Sequence, residues 1–202
     1  VPKYPRIGHL PDSPGATPHD RVQPDLSWLD GELVVTEKLD GGPVTFTRDA
    51  VYGRTPRSPT RPWDRPATAL WAMISYRIPD HWRVCGESMY ARRRIPYTDL
   101  PGVFLVFGIW DETDTLLGWD DTVDWANRLE LPVVPVLYRG GRLSSARAAW
   151  SHLCTPETSE GFVIRYAGRI AADDVPLQMV QWVRPGHRAR RLKDDVEVNE
   201  FA

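Results

Sequence analysis

Two rhythms of apolar residues run along this chain. Stretches dense in Val, Ile, Leu, Phe and Trp have the β-branched and aromatic content of extended chain. They predict strands over 32–38 (ELVVTEK), 82–89, 103–110, 133–138, 162–166 and 179–184. Segments 44–47 and 50–54 predict a hairpin that follows a Gly-rich turn at 39–43. Helical spacing predicts a helix over 67–76, with Leu70, Met73 and Ile74 on one face. Further helices are predicted over 120–129 and 144–153, the latter with Ser144 as its N-cap. Residues 3–16 are rich in Pro and Gly and predict an extended arm, whereas residues 55–66 hold four prolines and predict a loop. The helices stand between strands rather than in strict βαβ alternation, so the expected class is α+β with mostly antiparallel sheet. No internal repeat or low-complexity segment interrupts the pattern.

Composition narrows the function classes. A chain of 202 residues suits one domain with a sizeable core, and 42% hydrophobic with 26% charged residues is ordinary for a soluble globular protein. No apolar run is long enough to span a bilayer, so no membrane partner is expected. Residues 1–10 carry Lys3, Arg6, His9 and two prolines and do not read as a signal peptide. Cys85 and Cys154 are too few for a disulfide scaffold, and the simplest expected location is the cytoplasm. A net charge of −2 excludes a uniformly basic nucleic-acid binder. Local basic clusters remain: Arg92, Arg93 and Arg94, then Arg184, His187, Arg188, Arg190, Arg191 and Lys193. On charge alone these read as solvated surface. One compositional detail is sharper. Of 25 basic residues only Lys3, Lys38 and Lys193 are lysines. Arg stays protonated, whereas a lysine amine can lose its proton and attack an electrophile. Lys38 alone of the three lies in an apolar strand-like stretch.

Lys38 opens an ordered series of motifs. Glu37-Lys38-Leu39-Asp40-Gly41-Gly42 is followed by Cys85-Gly86-Glu87-Ser88-Met89-Tyr90-Ala91 and Ile95-Pro96-Tyr97. Then come the segment 103–111 (VFLVFGIWD), Glu160-Gly161-Phe162-Val163-Ile164-Arg165, and Gln181-Trp182-Val183-Arg184-Pro185-Gly186-His187. In that order they resemble the covalent nucleotidyltransferase superfamily of ATP-dependent ligases and capping enzymes, and within it the RNA ligase branch. Tyr4-Pro5-Arg6 and His9-Leu10-Pro11 are similar to N-terminal arms of that branch, so the resemblance runs from about residue 4 to about residue 190.

The resemblance implies a nucleotidyltransferase domain of the ligase adenylylation (ATP-grasp-like) kind, filling residues 1–202 as an arm (1–31), a core (32–190) and a tail (191–202). It implies Lys38 as the nucleophile that takes AMP from ATP, its pKa lowered by burial and nearby positive charge. It also places Glu37 toward the adenine amino group and Asp40 toward the lysine or the ribose. Gly41 serves the turn or a close nucleotide approach, and Arg54 reaches a phosphate or the ribose. Glu87 would bind the ribose, Phe107 would stack on the purine and Glu160 would organise Mg2+ or Mn2+. Arg165 and Arg184 would hold phosphates. For Glu37, Arg54 and Phe107 the plain alternatives are a strand-surface carboxylate, a surface arginine and core packing. Two positions depart from the branch. Gly42-Pro43 replaces the usual Ala-Asn, and Gln181 stands where the last motif has a lysine near the α-phosphate.

The expected activity is an ATP-dependent RNA ligase that forms lysyl-AMP, adenylylates a 5′-phosphate RNA end and joins it to a 3′-hydroxyl. A partner protein is one way for substrate binding to be supplied. The rivals left open are a DNA ligase, a capping guanylyltransferase, a protein AMP-transferase, and an RNA-end-binding protein that is non-catalytic or acts only on pre-adenylylated ends.

Overall fold

The computed structural model describes residues 2–58, 61–155, 157–187, 192 and 196–202. Among them the strands are β1 (Gly8–His9), β2 (Leu33–Lys38), β3 (Gly42–Phe46), β4 (Val51–Tyr52), β5 (Arg83–Ser88) and β6 (Phe104–Trp110). They continue with β7 (Thr115–Leu116), β8 (Val136–Gly140), β9 (Gly161–Tyr166), β10 (Ile170–Ala171) and β11 (Met179–Val183). The helices are α1 (Arg65–Ile74), α2 (Trp119–Arg128), α3 (Leu143–Leu153) and the single turn α4 (Val175–Gln178).

Two sheets result, one ordered β1-β11-β9-β2-β8 and the other β10-β7-β6-β5-β3-β4. Neighbours pair antiparallel throughout, except β1, which runs parallel to β11. The α+β reading of the sequence therefore holds. Because side chains alternate across a strand, each sheet has an inner and an outer face. Leu33, Val35, Phe162, Ile164 and Val180 pack outward with Ala146 and Trp150 of α3. On the second sheet Val44, Phe46, Val84, Phe104 and Val106 pack outward with Ala67 and Ile74 of α1 and Ala126 of α2. Between the sheets lie Val34, Leu39, Met89 and Leu105, and farther along Cys85, Trp110, Leu116 and Met179. The layers are thus helix, sheet, sheet, helices.

Several local expectations shift. The buried stripe of α1 is Ala67, Leu70, Trp71 and Ile74, while Met73 is 71% exposed. The i, i+3, i+4, i+7 stripe fixes one face, and Met73 falls beside it. Helix α3 starts at Leu143 behind an extended Arg142 with no side-chain cap, so Ser144 lies inside the helix rather than at its N-cap. The arm does not stay apart. Gly8 and His9 extend the first sheet beside β11, and Tyr4 packs edge-on against Phe107 and Trp110. Of the expected tail, residues 196–202 are docked. Val198 bridges Ala91, Phe201 bridges Leu100, and the buried Asn199 amide bonds the Met89 carbonyl and the Tyr97 N–H.

Candidate active site

Strand β2 is an interior strand of the first sheet, between β9 and β8. It ends at Lys38, and by Gly42 the chain has begun β3 in the second sheet. Lys38, Leu39, Asp40 and Gly41 therefore form the bridge between the sheets. Alternation along β2 groups Lys38 with Val34, which packs between the sheets, and groups Glu37 with the outward Leu33 and Val35. Lys38 lies opposite Gly161, so Glu160 arrives beside it, with Nζ 3.0 Å from Glu160 Oε1. Glu87, paired with Pro43 on β5, comes from the second sheet. The approach is close enough that a Cβ on Gly41 would lie 2.6 Å from the Ser88 carbonyl oxygen and 2.7 Å from Glu87 Cγ. Glycine is required there for lack of room.

The electrostatics follow from that crowding. Burial pulls the Lys38 ammonium down, but the carboxylates of Glu160, Glu87 and Asp40 outweigh it and hold its pKa above the usual lysine value. This reverses the expected direction, because the expected positive neighbours are replaced by acids in the protein alone. Glu87 is pushed up to about 8, chiefly by burial, with Glu160 and Asp40 adding to the rise and Lys38 and Arg93 opposing it. Four ionisable groups, one amine and three carboxyls, thus share one partly enclosed space, the arrangement expected of a reactive site.

Asp40 organises the next layer. Its Oδ2 accepts the backbone N–H groups of Arg94 at 2.9 Å and Ile95 at 3.3 Å, and its own N–H donates to the Tyr97 hydroxyl at 2.9 Å. The first motif thereby fixes the loop that carries Arg92, Arg93 and Arg94, while Arg92 pairs with Glu197 at 3.0 Å. The other Asp40 oxygen, Oδ1, lies 3.5 Å from Nε2 of His187, which is 3.7 Å from Glu160 Oε2.

The remaining expected residues divide into two groups. Arg184 is near: its N–H donates to the Glu160 carbonyl and its Nε to the Ser159 carbonyl, holding the turn that presents Glu160. Gln181 is half-buried and shares its face of β11 with Met179, a residue of the space between the sheets. Phe107 is also half-buried and faces that space. It is the unpaired residue at a bulge, since Cys85 pairs with Gly108 and Gly86 with Val106. Tyr4 packs its ring edge-on to Phe107 at 5.2 Å. Arg54 is exposed at the end of the β3–β4 hairpin, one residue beyond Gly53, which faces the Pro43 carbonyl.

Two residues go elsewhere. Glu37 stands on the outward face of β2 with Leu33 and Val35, where burial raises its pKa to about 7 and a hydrogen bond from Ser159 opposes the rise. Its carboxyl still acts on the Tyr97 hydroxyl beside Asp40, whose pKa is raised chiefly by burial and further by Glu37. Arg165 lies opposite Val34, four residues back along the pair from Lys38, and is fully enclosed. Its guanidinium donates to the Leu117 and Tyr166 carbonyls and sits over the Trp119 ring, and burial lowers its pKa to about 10. An arginine there stitches the sheets together from within. Arg188, Arg190, Arg191 and Lys193 lie outside the described residues. His187 and Tyr97 gain places that sequence reasoning gave them no role for. Both stood inside quoted motifs, but neither spacing nor composition says that residues 147 positions apart, Asp40 and His187, would meet.

The family model described as RNA ligase matches residues 31–180, well over half of the chain. No curated protein matches the sequence. An archaeal ATP-dependent RNA ligase shares the fold with a TM-score of 0.60 at 15% identity, covering 91% of this chain and 48% of that one. An RNA ligase from Naegleria gruberi, solved with ATP and Mn, gives 0.52 at 16%, covering 89% and 60%. A protein described as an ATP-dependent DNA ligase from Aquifex aeolicus gives 0.58 at 15%, covering 91% and 50%. The chain spans about half the length of these solved structures, and at such identities the likeness is one of fold. The helix-flanked pair of sheets is that of ligase nucleotidyltransferase domains, and the chain belongs to the RNA ligase family.

Proposed function

We propose that residues 32–190, with the packed arm, act as the adenylylation unit of an ATP-dependent RNA ligase in which Lys38 carries AMP. The observation that carries this reading is the Lys38–Glu160 pair at 3.0 Å on the bridge between the sheets, with Glu87 across from it. In a chain with three lysines among 25 basic residues, this position keeps the one side chain that can be both cation and nucleophile. Lys38 Nζ attacks the α-phosphorus of ATP. A nitrogen–phosphorus bond forms, the bond to the bridging oxygen breaks, and pyrophosphate leaves. The ammonium first gives up a proton, for which Glu160 Oε1 is the neighbouring acceptor. The phosphoramidate then yields AMP to the 5′-phosphate of an RNA end, and attack by a 3′-hydroxyl releases AMP and seals the strand.

Other residues bind and orient. Glu87 reaches the ribose hydroxyls from the second sheet. Phe107, backed by Tyr4, offers a ring face to the purine. Arg184 holds the Glu160 turn, and Arg54 lies at the hairpin end for a phosphate. The acidic donors Asp40 and Glu160 fit a divalent cation, Mg2+ or Mn2+. Bound there it would supply positive charge against the α-phosphate and the departing pyrophosphate. The ATP and Mn carried by the Naegleria ligase support this cofactor pair. RNA with 5′-phosphate and 3′-hydroxyl ends is the proposed substrate, with RNA repair as the role and the cytoplasm as the place. A partner protein is one proposed source of substrate binding. Among the described residues no helix is long and apolar enough to cross a membrane.

One observation favours a second reading. Gln181 faces the space between the sheets without charge, where the family's last motif carries a lysine. This supports an enzyme that works best on pre-adenylylated RNA. The test is incubation with α-labelled ATP and Mg2+ or Mn2+, beside Lys38→Ala and with GTP as competitor. Label on the parent and none on the variant supports the first reading. Absence of label, with sealing of pre-adenylylated RNA, supports the second. Absence of both refutes an RNA ligase.

A further inference from the structure

His187 stands out as a buried group without a satisfied role. Its side chain is only 2% exposed, yet neither Nδ1 nor Nε2 has a hydrogen-bond partner among the described residues. Burying a polar atom without a partner is costly, so a fold that keeps it there has a use for it. Nε2 is aimed at the two acids of the site, 3.5 Å from Asp40 Oδ1 and 3.7 Å from Glu160 Oε2. Those separations are longer than hydrogen bonds, but they suit three ligands around one small ion. One ligand atom from each residue lies within 4.8 Å of the other two. The remaining oxygens are already engaged, Asp40 Oδ2 by two backbone N–H groups and Glu160 Oε1 by Lys38. The free donors of all three residues therefore converge on one point.

We propose that His187 is a nitrogen ligand which, with Asp40 and Glu160, gives this protein a preformed three-ligand site for a divalent transition metal. The imidazole sets the preference. Mg2+ prefers oxygen donors and keeps its waters, so a site with one imidazole and two carboxylates favours Mn2+ or Co2+ over it. The ligands come from three parts of the chain. Asp40 lies on the bridge between the sheets, Glu160 precedes β9, and His187 follows β11. An ion held by all three would tie the sheet junction to the segment after β11. That the ion serves adenylyl transfer rests on the function proposed above, whereas the binding itself does not.

The experiment uses the full chain without nucleotide. Manganese is titrated in while free Mn2+ is followed by electron paramagnetic resonance, with Mg2+ as competitor, for the parent, His187→Gln and His187→Leu. The parent is expected to bind one Mn2+ that Mg2+ displaces poorly, and both variants should bind it at least about tenfold more weakly, as loss of even an outer-shell partner does. Imidazole resonances of the parent provide a measurement that needs no variant. Of five histidines, His187 should broaden at the lowest Mn2+. Variants that bind Mn2+ as tightly as the parent would overturn the proposal, as would a parent that binds none or whose His187 signal stays sharp. His187 would then be a packing residue beside the two acids rather than a ligand. Labelling the same samples with α-labelled ATP separates the two failures. Label without nucleotide-free Mn2+ binding removes this inference alone, and binding through His187 without label removes the ligase reading alone.

Discussion

Replacing Asp40 by alanine tests whether the first motif holds the arginine loop as well as the nucleotide site. The carboxylate is 3% exposed and accepts two backbone N–H groups, those of Arg94 at 2.9 Å and Ile95 at 3.3 Å. Truncation orphans both donors. The Ile95 amide belongs to a residue 1% exposed and cannot recover a bond from water, which costs about 1–3 kcal/mol. Arg94 is exposed, so its amide recovers part of its bond and adds about 1 kcal/mol. The expected loss is therefore about 2–4 kcal/mol. Asp40→Asn keeps an oxygen acceptor and gives up only the charge, so it should lose less than half as much. Urea unfolding followed by the fluorescence of the nine tryptophans measures both. A loss below about 0.5 kcal/mol in the alanine variant, within the range of an ordinary surface change, would refute the reasoning. An asparagine variant as unstable as the alanine one would show that charge rather than the amide bonds governs.

Three further outcomes are expected. At Gly161 a Cβ would collide with the Trp182 carbonyl oxygen and stand 3.0 Å from its carbonyl carbon, so Gly161→Ala should shift Glu160 away from Lys38; a variant that labels with ATP as fast as the parent would count against this. Gln181→Lys places a cation on the inner face of β11, and single-turnover lysine adenylylation should rise about tenfold or more, the worth of one charged hydrogen bond; an unchanged rate would remove Gln181 as the slow feature. For Asp111, burial would raise the pKa, but Thr113, the Thr115 N–H and Arg169 outweigh it and hold the carboxyl below the usual value. A carboxyl depressed by folding contributes stability above its unfolded pKa of about 4 and loses it as the pH falls through the folded value. Asp111→Asn should therefore be less stable at neutral pH and show a flatter acid limb, and an unchanged limb would refute the assignment.

The sequence by itself determined most of the strands and the order of the motifs. Runs such as 32–38 and 103–110 are so apolar and β-branched that no other local structure suits them, and Lys38 stood out because lysine is rare in this chain. It also determined the α+β class, since helices 67–76 and 120–129 reappear within two residues as α1 and α2. Short elements escaped it. Strands β7 and β10 have two residues each and exist through the pairing of Leu116 with Ile170. The face on which each side chain stands was decided by tertiary structure. Glu37 and Lys38 are neighbours in sequence, yet the period of two along β2 sends them to opposite faces. Arg165 followed a motif acid and read as a phosphate ligand, but its register against Val34 buries it between the sheets. Asp40, Glu160 and His187 converge only because two sheets meet at residues 38–42, and the pH behaviour of Lys38 depends on that convergence. Local pattern fixes which residues are extended or helical, because those preferences act over a few residues. Long-range packing fixes which charges share one dielectric environment, and the sign of the Lys38 shift was therefore settled by Glu160, Glu87 and Asp40 rather than by the motif around the lysine.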